Sequence, residues 1–316
     1  MSNMVVSCRG LVKQYGRQRA VDGLDMDVPA GAIFGLLGPN GAGKSTSFGI
    51  LCGWLRPTAG TSTVLGAPSS ELWRVAGRVS ALPQDAHFPQ QLTLRQQLVQ
   101  YARAQGLSAA AAKTDADRVL NLVGLQDAGA KRSSQLSHGM HKRAGLAQAL
   151  LGTPEVIFLD EPTSGLDPRT ARHIKDLIGS LAGRTTVVVS SHNLAEVQEI
   201  CTHGAILDHG RLVASGTIAS LTRQGAEFSV VCGQLPAAAL EAVRSSFGST
   251  SVRTTGDLAL TITYPSDQQA PVIITRALGL LIGAGATIVE VRAGTSLETA
   301  FMSLTQTDSS VPLSTP

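Results

Sequence analysis

A glycine-rich stretch near the beginning of the chain, residues 38–46, has residue types that can bind phosphate. Its sequence, GPNGAGKST, fits the pattern G-x-x-x-x-G-K-[ST] at every fixed position, including Lys44 and Ser45. Glycines let successive backbone N–H groups turn toward an anion, and Lys44 adds a mobile charge for the β- and γ-phosphates. Ser45 offers a hydroxyl to Mg²⁺, which prefers oxygen ligands and bridges phosphates. The stretch therefore predicts a site for a nucleoside triphosphate and Mg²⁺.

The segments on both sides of this stretch supply the context that the pattern requires. Residues 32–37 predict a strand, and a helix is predicted from Ser45 to about residue 54. The positive N-terminal end of that helix favours an anion. A glycine-rich turn with a chance lysine is the alternative, and the strand–loop–helix context argues against it.

Two carboxylates follow a second apolar segment. Residues 156–159 predict a buried parallel strand, and Asp160 and Glu161 come directly after it. Ligands of such sheets bind at the carboxyl ends of the strands. We therefore expect Asp160 to hold the Mg²⁺ shell and Glu161 to polarise a water molecule against the γ-phosphate. The alternative, a strand that ends in a charged turn, is disfavoured by the phosphate-binding pattern in the same chain.

Three further side chains become candidates only through their positions. Tyr15, in a loop predicted at residues 13–19, has a ring that can stack on adenine. Gln84, at the end of a predicted strand, can bring an amide oxygen to the metal or to the attacking water. His192 follows another predicted strand and can reach a phosphate. Each also fits an ordinary role, as a half-buried tyrosine, a solvated loop glutamine or a structural histidine.

A short motif at residues 136–140, Leu-Ser-His-Gly-Met, opens a helix that is predicted to reach residue 151. Ser137 and Gly139 at the N-terminus of this helix suit an anion, because the first N–H groups of a helix lack intrahelical partners. The alternative is an ordinary helix N-cap.

The composition limits the class of protein. The 316 residues predict two domains, and 43% hydrophobic residues with a net charge of +3 are typical of a globular protein. No dense run of Lys and Arg marks a nucleic-acid surface, so nucleic acid is not expected as a partner. The four cysteines lack metal-ligand spacing and predict reduced, mostly buried thiols: Cys8, Cys52, Cys201 and Cys232.

The most apolar window of the chain is residues 272–289, and no signal peptide is recognised at the N-terminus. Arg276 and three glycines interrupt the window, whereas a membrane span needs ~20 mostly apolar residues. We therefore predict a buried helix followed by a buried strand in this window, and a chain that does not cross a bilayer by itself.

The elements that must position the candidate residues divide the chain into three parts. Residues 1–222 predict an α/β nucleotide-binding domain with a helical part at about residues 88–152. Residues 226–305 predict the β-α-β-β-α-β order of a small, ferredoxin-like α+β domain. Residues 306–316 are polar and rich in Pro and Ser, and we predict that they are disordered.

With these motifs in place, the sequence resembles the ATP-binding subunit of an ATP-binding cassette (ABC) transporter over about residues 4–221. The resemblance implies a P-loop NTPase cassette with a RecA-like core, an antiparallel β subdomain and a helical subdomain. Residues 38–46 match the Walker A motif of the family. Residues 156–161 match its Walker B motif, with Glu161 as the catalytic base, and residues 164–167 match its D-loop.

The resemblance also implies a role for each candidate residue. Tyr15 would stack on adenine, Gln84 would sense the membrane subunit, and His192 would be the switch histidine. The implied catalytic residues are Glu161, His192 and Gln84, and the implied metal ligands are Ser45, Gln84 and Asp160. The implied nucleotide-binding residues are Tyr15, Gly38, Pro39, Asn40, Gly41, Ala42, Gly43, Lys44, Ser45, Thr46, Ser137, Gly139, Asp160 and Asp167.

The motif at residues 136–140 matches the LSGGQ signature of the family with two departures, His138 for a glycine and Met140 for a glutamine. In the family, the signature of one subunit closes over the γ-phosphate that the other subunit's Walker A motif holds. The His138 ring either weakens that closure or is tolerated, since Ser137 and Gly139 remain.

The resemblance implies partners and a location as well. Two cassettes, identical or different, would bind ATP and Mg²⁺ in a head-to-tail dimer. A separately encoded, membrane-spanning permease subunit would contact the surface near Gln84 and residues 88–103, which places the chain at the cytoplasmic face of the membrane. Residues 296–301 and the C-terminal domain resemble two-component, ABC-2-type exporters, which implies export but no particular cargo. Two other classes stay open, a soluble ABC-type ATPase that is not coupled to transport and an ATP-binding regulator.

Overall fold

The computed structural model of the chain describes residues 3–85, 88–222, 227–265 and 269–293. The chain divides into two compact units, Met1–Thr217 and Ile218–Pro316, and each is described by itself. Within the described residues, every helix is too short or too polar to span a bilayer.

The first unit contains two sheets and several helices. Its elements in chain order are β1 (Met4–Tyr15), β2 (Gln18–Pro29), β3 (Ile33–Leu37), α1 (Lys44–Leu51), β4 (Ala59–Val64), β5 (Ala67–Pro68), β6 (Val79–Leu82), α2 (Leu94–Ala104), α3 (Ala109–Leu122), α4 (His138–Ala149), β7 (Val156–Asp160), α5 (Pro168–Gly179), β8 (Thr186–Ser191), α6 (Leu194–Ile200), β9 (His203–Asp208) and β10 (Arg211–Thr217). Short 3₁₀ segments lie at Ser69–Val75, Gln126–Ala128 and Ser133–Gln135.

The six-stranded sheet of this unit places the candidate residues together. Its strand order is β10-β9-β3-β8-β7-β6, and all neighbouring pairs are parallel except β9 with β10. Every residue of β3, β7 and β8 is buried, as their apolar sequences predict for strands that are covered on both faces. Because these three strands are parallel, their carboxyl ends meet at one edge of the sheet.

Helix α1 is held against this sheet by aromatic packing. The ring of Phe48 lies 5.5 Å from the ring of Phe158 in β7, at an interplanar angle of 82°. This edge-to-face arrangement is one of the favoured geometries for aromatic pairs. The contact links the helix that follows the glycine-rich loop to the strand that ends at Asp160, so the two motifs share one core.

The second sheet of the first unit is antiparallel, with order β2-β1-β4-β5. The prediction of a loop at residues 13–19 is wrong, because β1 continues to Tyr15 and pairs there with Gln18 of β2. Only a two-residue turn remains, and Gly16 adopts φ 57° in it. The polar residues that suggested a loop lie on the exposed tip of this hairpin, where backbone pairing rather than burial maintains the strands.

The described residues of the second unit form one sheet and three helices. Its elements are α7 (Ile218–Leu221), β11 (Glu227–Gln234), α8 (Ala237–Phe247), β12 (Val252–Thr255), β13 (Ala259–Thr263), α9 (Ala270–Gly283) and β14 (Thr287–Ala293). The strands pair in the order β12-β13-β11-β14, and all three pairings are antiparallel. The predicted motif at residues 296–301 and the predicted disordered tail at 306–316 lie outside the described residues.

Residues 272–289 contain a helix followed by a strand, but the prediction that both elements are buried is wrong. Helix α9 buries Ile273, Ala277 and Leu281, which form a single stripe at helical spacing. Val272 is 62% exposed and Val289 of β14 is 71% exposed. The apolar composition of the window did not reveal which face of each element would be covered, because both faces carry apolar residues.

Candidate active site

A cavity of about 420 Å³ lies at the carboxyl edge of the six-stranded sheet. The residues that line it come from separate parts of the sequence. They are Gln18, Ala20, Asn40, Gly41, Gly43, Lys44, Ser45, Thr46, Gln84, Glu161, Ser164 and His192. The fold therefore brings most of the predicted glycine-rich loop together with Gln84, Glu161 and His192.

The glycine-rich loop has a backbone that only glycine can adopt at two positions. Gly38 and Gly43 have φ values of 150° and 95°. A Cβ at Gly38 would lie 2.3 Å from the carbonyl oxygen of Leu207, and a Cβ at Gly43 would lie 2.3 Å from that of Ala20. At these two positions the loop thus lies too close to β9 and β2 for any side chain. Asn40, Gly41 and Gly43 of the loop line the cavity, where backbone N–H groups can bind an anion.

The N-terminus of α1 opens onto this cavity without a side-chain cap. Gly43 is its N-cap residue and provides no side-chain hydrogen bond. By contrast, Ser137 caps α4 by accepting from Met140 N, and Asp167 caps α5 by accepting from Thr170 N. The first N–H groups of α1 and its dipole are therefore available to an anion, and the exposed hydroxyl of Ser45 lies in the same turn. A triphosphate with Mg²⁺ fits this set of donors and ligands.

Lys44 is held at the base of the cavity and is only 6% exposed. Its Nζ donates to the carbonyl oxygens of Gly38 at 2.7 Å and Pro39 at 3.0 Å. Burial lowers the pKa of Lys44, and the nearby carboxylates of Glu161 and Asp160 oppose this effect. The loop's own carbonyls thus fix the ammonium beside the uncapped helix end.

Asp160 lies at the end of β7 and is only 8% exposed. Its Oδ1 accepts a short hydrogen bond from the hydroxyl of Ser190 in the neighbouring strand β8. Burial raises the pKa of Asp160, while the Ser190 hydrogen bond and the charges of Lys44 and Lys142 act in the opposite direction. Asp160 is not among the described residues that line the cavity, whereas the next residue in the chain, Glu161, is.

Glu161 has an unusual backbone and a direct contact with the predicted histidine. Its φ is 50°, in the left-handed region that non-glycine residues rarely adopt. Its Oε1 lies 2.8 Å from Nδ1 of His192, whose ring is mostly exposed toward the cavity. A carboxylate and an imidazole in hydrogen-bond contact, both lining the same cavity as Lys44, can activate and orient a water molecule.

Gln84 lines the cavity and is tied to α4 through its backbone. The ammonium of Lys142 donates to the carbonyl oxygen of Gln84 at 2.6 Å. Sequence reasoning missed Lys142, and no local signal indicates it, because the two residues are 58 positions apart in the chain. This contact connects the helix that begins at His138 with the segment after β6.

Eight predicted nucleotide-binding residues do not line the cavity of their own chain: Tyr15, Gly38, Pro39, Ala42, Ser137, Gly139, Asp160 and Asp167. Tyr15 is 50% exposed at the tip of the β1–β2 hairpin, with Nζ of Lys13 5.0 Å from its ring centroid. Ser137 and Asp167 act as helix caps, and Gly139 packs near Leu166 and Thr170. Gly38, Pro39 and Ala42 belong to the loop without lining the cavity.

His138 does not simply project into solvent. A Cβ built on Gly165 would lie 3.2 Å from Nε2 of His138, so the imidazole rests against the loop at residues 164–167. Gly165 has φ 74° and no side chain, which leaves room for the ring. The histidine that departs from the signature pattern is thus accommodated by its own chain.

Three further residues of the site were not predicted. Gln18 and Ala20 reach the cavity because β2 begins earlier than expected, and Ser164 reaches it from the loop after Glu161. Ser190 was not predicted either, because β8 (TVVVSS) ends in two adjacent serines and its sequence does not show which of them faces Asp160.

Comparison with known proteins identifies a family for this arrangement. The ABC transporter family matches residues 21–164. The daunorubicin/doxorubicin resistance ATP-binding protein of Streptomyces peucetius is 42% identical over 68% of this chain and 66% of its own length. The Nod factor export ATP-binding protein I of a Rhizobium species is 37% identical over 69% of this chain and 72% of its own length.

A solved structure is similar in fold. The ATP-binding subunit of an ABC transporter superposes with a TM-score of 0.64 and 26% sequence identity, and the match covers 70% of this chain and 92% of that one. The P-loop cassette fold of the first unit is therefore shared with ATP-binding subunits of this kind.

Proposed function

This chain belongs to the ABC transporter family as an ATP-hydrolysing cassette subunit, and we propose that it drives export of a substrate through a separately encoded, membrane-spanning permease subunit. One observation carries the proposal. Glu161 and His192 are in contact with each other and share one cavity with Lys44 and the uncapped end of α1. A site of this construction can both hold a triphosphate and activate water against it.

The residues of the site divide the chemistry between them. Backbone N–H groups of the glycine-rich loop and the Lys44 ammonium bind the β- and γ-phosphates. Glu161 takes a proton from the attacking water, and His192 orients Glu161 by donating its Nδ1–H to the carboxylate. Ser45, Gln84 and Asp160 would hold Mg²⁺, whose charge offsets that of the phosphates. Asp160 ends β7 and precedes the cavity-lining Glu161 directly in the chain, which supports this role.

The remaining predicted nucleotide contacts belong, in our proposal, to a dimer. Ser137, Gly139 and Asp167 would close over the cavity of a second ATP-binding subunit, arranged head to tail, and Tyr15 would stack on adenine. The position of Ser137 and Gly139 at the start of α4, away from their own cavity, supports this arrangement. Both a homodimer and a pair with a different cassette fit the proposal.

We assign the permease contact to the surface near Gln84 and residues 88–103. A groove of about 490 Å³ lies there between α2 and α3, and it is more apolar than the nucleotide cavity. Leu92 and Val99 supply apolar contact area in it, while Arg95 and Asp117 form an ion pair at its edge. The groove fits an amphipathic segment of the permease, which would hold the chain at the cytoplasmic face of the membrane.

We further propose that the second unit is a ferredoxin-like accessory domain. Its β-α-β-β-α-β order and the strand order β12-β13-β11-β14 support this assignment. The domain limits that we propose are residues 1–222 for the cassette, 226–305 for the accessory domain and 306–316 for a disordered tail. The printed names of the two relatives concern drug resistance and Nod factor export, which supports export as the direction without naming a cargo.

Co-purification and coupled ATPase activity test the proposal. The chain is expressed together with a candidate multi-span membrane protein, and the complex is reconstituted in lipid vesicles with Mg²⁺ and ATP. We expect a stable complex whose ATPase activity differs from that of the chain alone. If no membrane partner binds the chain or changes its ATPase activity, the soluble ATPase is favoured. ATP binding without hydrolysis in either form would favour the regulator.

A further inference from the structure

We propose that Ser190 is a positioning residue for ATP hydrolysis, which holds Asp160 and Glu161 in one fixed arrangement. The inference rests on the proposed function, because it concerns the two carboxylates of the hydrolytic site. Ser190 lies outside the motifs that sequence reasoning identified, and it is completely buried between its neighbouring strands.

The parallel pairing of β7 and β8 places Ser190 directly beside Asp160. The Ser190 hydroxyl donates to Oδ1 of Asp160. The Oγ atom of Ser190 also accepts from the backbone N–H of Glu161 at 3.2 Å. A serine hydroxyl has one proton and two lone pairs, so both bonds can exist together. One buried oxygen therefore contacts both residues of the Asp-Glu pair.

The backbone of Glu161 depends on the same residue. Its N–H also lies 3.2 Å from the carbonyl oxygen of Ser190, so that one N–H is shared between two acceptors of Ser190. The φ of 50° at Glu161 is unfavourable for a residue with a side chain and persists only where the surroundings hold it. These bonds turn the chain away from the line of β7 just where the carboxylate must reach His192.

A side chain without a hydroxyl cannot replace this arrangement. In Ser190→Ala, the buried Asp160 carboxylate loses its side-chain donor and the Glu161 N–H keeps only one of its two acceptors. Threonine carries its hydroxyl at the same position on the side chain as serine, so Ser190→Thr should retain ATPase activity. Ser191 offers a matched control, because it is also buried in β8 but its hydroxyl accepts from Asn193 N and contacts neither carboxylate.

The test compares Ser190→Ala, Ser190→Thr and Ser191→Ala in the full-length chain with its partner. ATPase kcat and KM are measured at saturating Mg²⁺, and binding of a fluorescent ATP analogue is measured with and without Mg²⁺. For Ser190→Ala we expect kcat to fall about 10- to 100-fold, as for loss of a bond to a charged group. Binding without Mg²⁺ should stay near wild type, whereas the gain in affinity on adding Mg²⁺ should shrink. Ser190→Thr and Ser191→Ala should resemble wild type.

Three results would overturn the inference. The first is a kcat within about twofold of wild type in Ser190→Ala together with an unchanged Mg²⁺ effect. The second is an equal loss in Ser191→Ala, and the third is failure of threonine to restore what alanine loses. If the wild-type chain binds nucleotide but does not hydrolyse it, the proposed function fails, and the Mg²⁺-dependent gain in binding still decides the role of Ser190.

Discussion

Replacing Glu161 with glutamine separates the charge of this side chain from its shape. The Glu161 Oε1 lies 2.8 Å from Nδ1 of His192, and the amide oxygen of glutamine can take the same place. Lys44 and the glycine-rich loop are unchanged, so ATP should still bind. The variant should therefore hold ATP in a closed dimer but should not turn it over.

The size of the loss follows from the composition of the cavity. A positioned general base contributes about 10²- to 10⁴-fold to a rate. Glu161 is the one carboxylate among the described residues that line the cavity, since Asp160 is buried and bonded to Ser190. No second carboxylate among these lining residues can take over proton transfer, so we expect kcat to fall by about 10³-fold or more.

Steady-state ATPase assays and size-exclusion chromatography with ATP measure the two effects. Glu155→Gln is the control, because it removes the same charge at the opposite end of β7. There Glu155 forms an exposed ion pair with Arg78, of a kind that contributes little to stability. Wild-type turnover in Glu161→Gln would remove Glu161 from the role of base. An equal loss in Glu155→Gln would show that the effect is not specific to the cavity.

Three further substitutions test other parts of the site. Lys44→Ala should abolish ATP binding in a fluorescence titration and lower the free energy of unfolding by about 1–3 kcal/mol, because its ammonium bonds two loop carbonyls; normal nucleotide affinity would refute the assignment. Lys142→Met should lower kcat about tenfold with little change in nucleotide binding, because it removes the donor to the Gln84 carbonyl. Lys142→Arg keeps a donor and should lower kcat by less. His138→Gly should preserve or raise ATPase activity, because the ring fills space over Gly165 and not the cavity of its own chain; a large loss would give the imidazole a positive role.

The parts of this fold that could be predicted are those in which local sequence and burial agree. Strands β3 and β7 are apolar throughout and buried on both faces, so their sequences alone predict them and the residues that follow. The β1–β2 hairpin was not predicted to its tip, because its polar end is held by cross-strand pairing that the sequence of one strand does not contain. For helix α9 the sequence predicted too much burial, because apolar residues also lie on the face that the structure leaves exposed.

The residues of the candidate site also fall into two groups, those that the sequence identifies and those that only the fold reveals. The glycine-rich loop and the Asp-Glu pair carry their chemistry within a few consecutive residues, so residue type and spacing are enough to identify them. Lys142 and Ser190 act through contacts with residues 58 and 30 positions away, which only the folded chain creates. Sequence therefore identifies the groups that meet the nucleotide better than the groups that hold them in place.

The contacts around Gly139 link the signature motif to the hydrolytic residues of its own chain. A Cβ on Gly139 would lie 3.7 Å from Thr170 and 3.8 Å from Leu166, so the start of α4 packs against the loop at residues 164–167. Ser164 in that loop donates its N–H to the carbonyl oxygen of Glu161 at 3.3 Å and lines the cavity. A displacement of the signature motif, such as closure over a second subunit would cause, must therefore act on the loop that anchors Glu161. In the proposed head-to-tail dimer, each chain would then carry a short physical connection between the nucleotide it holds and the one it helps to enclose.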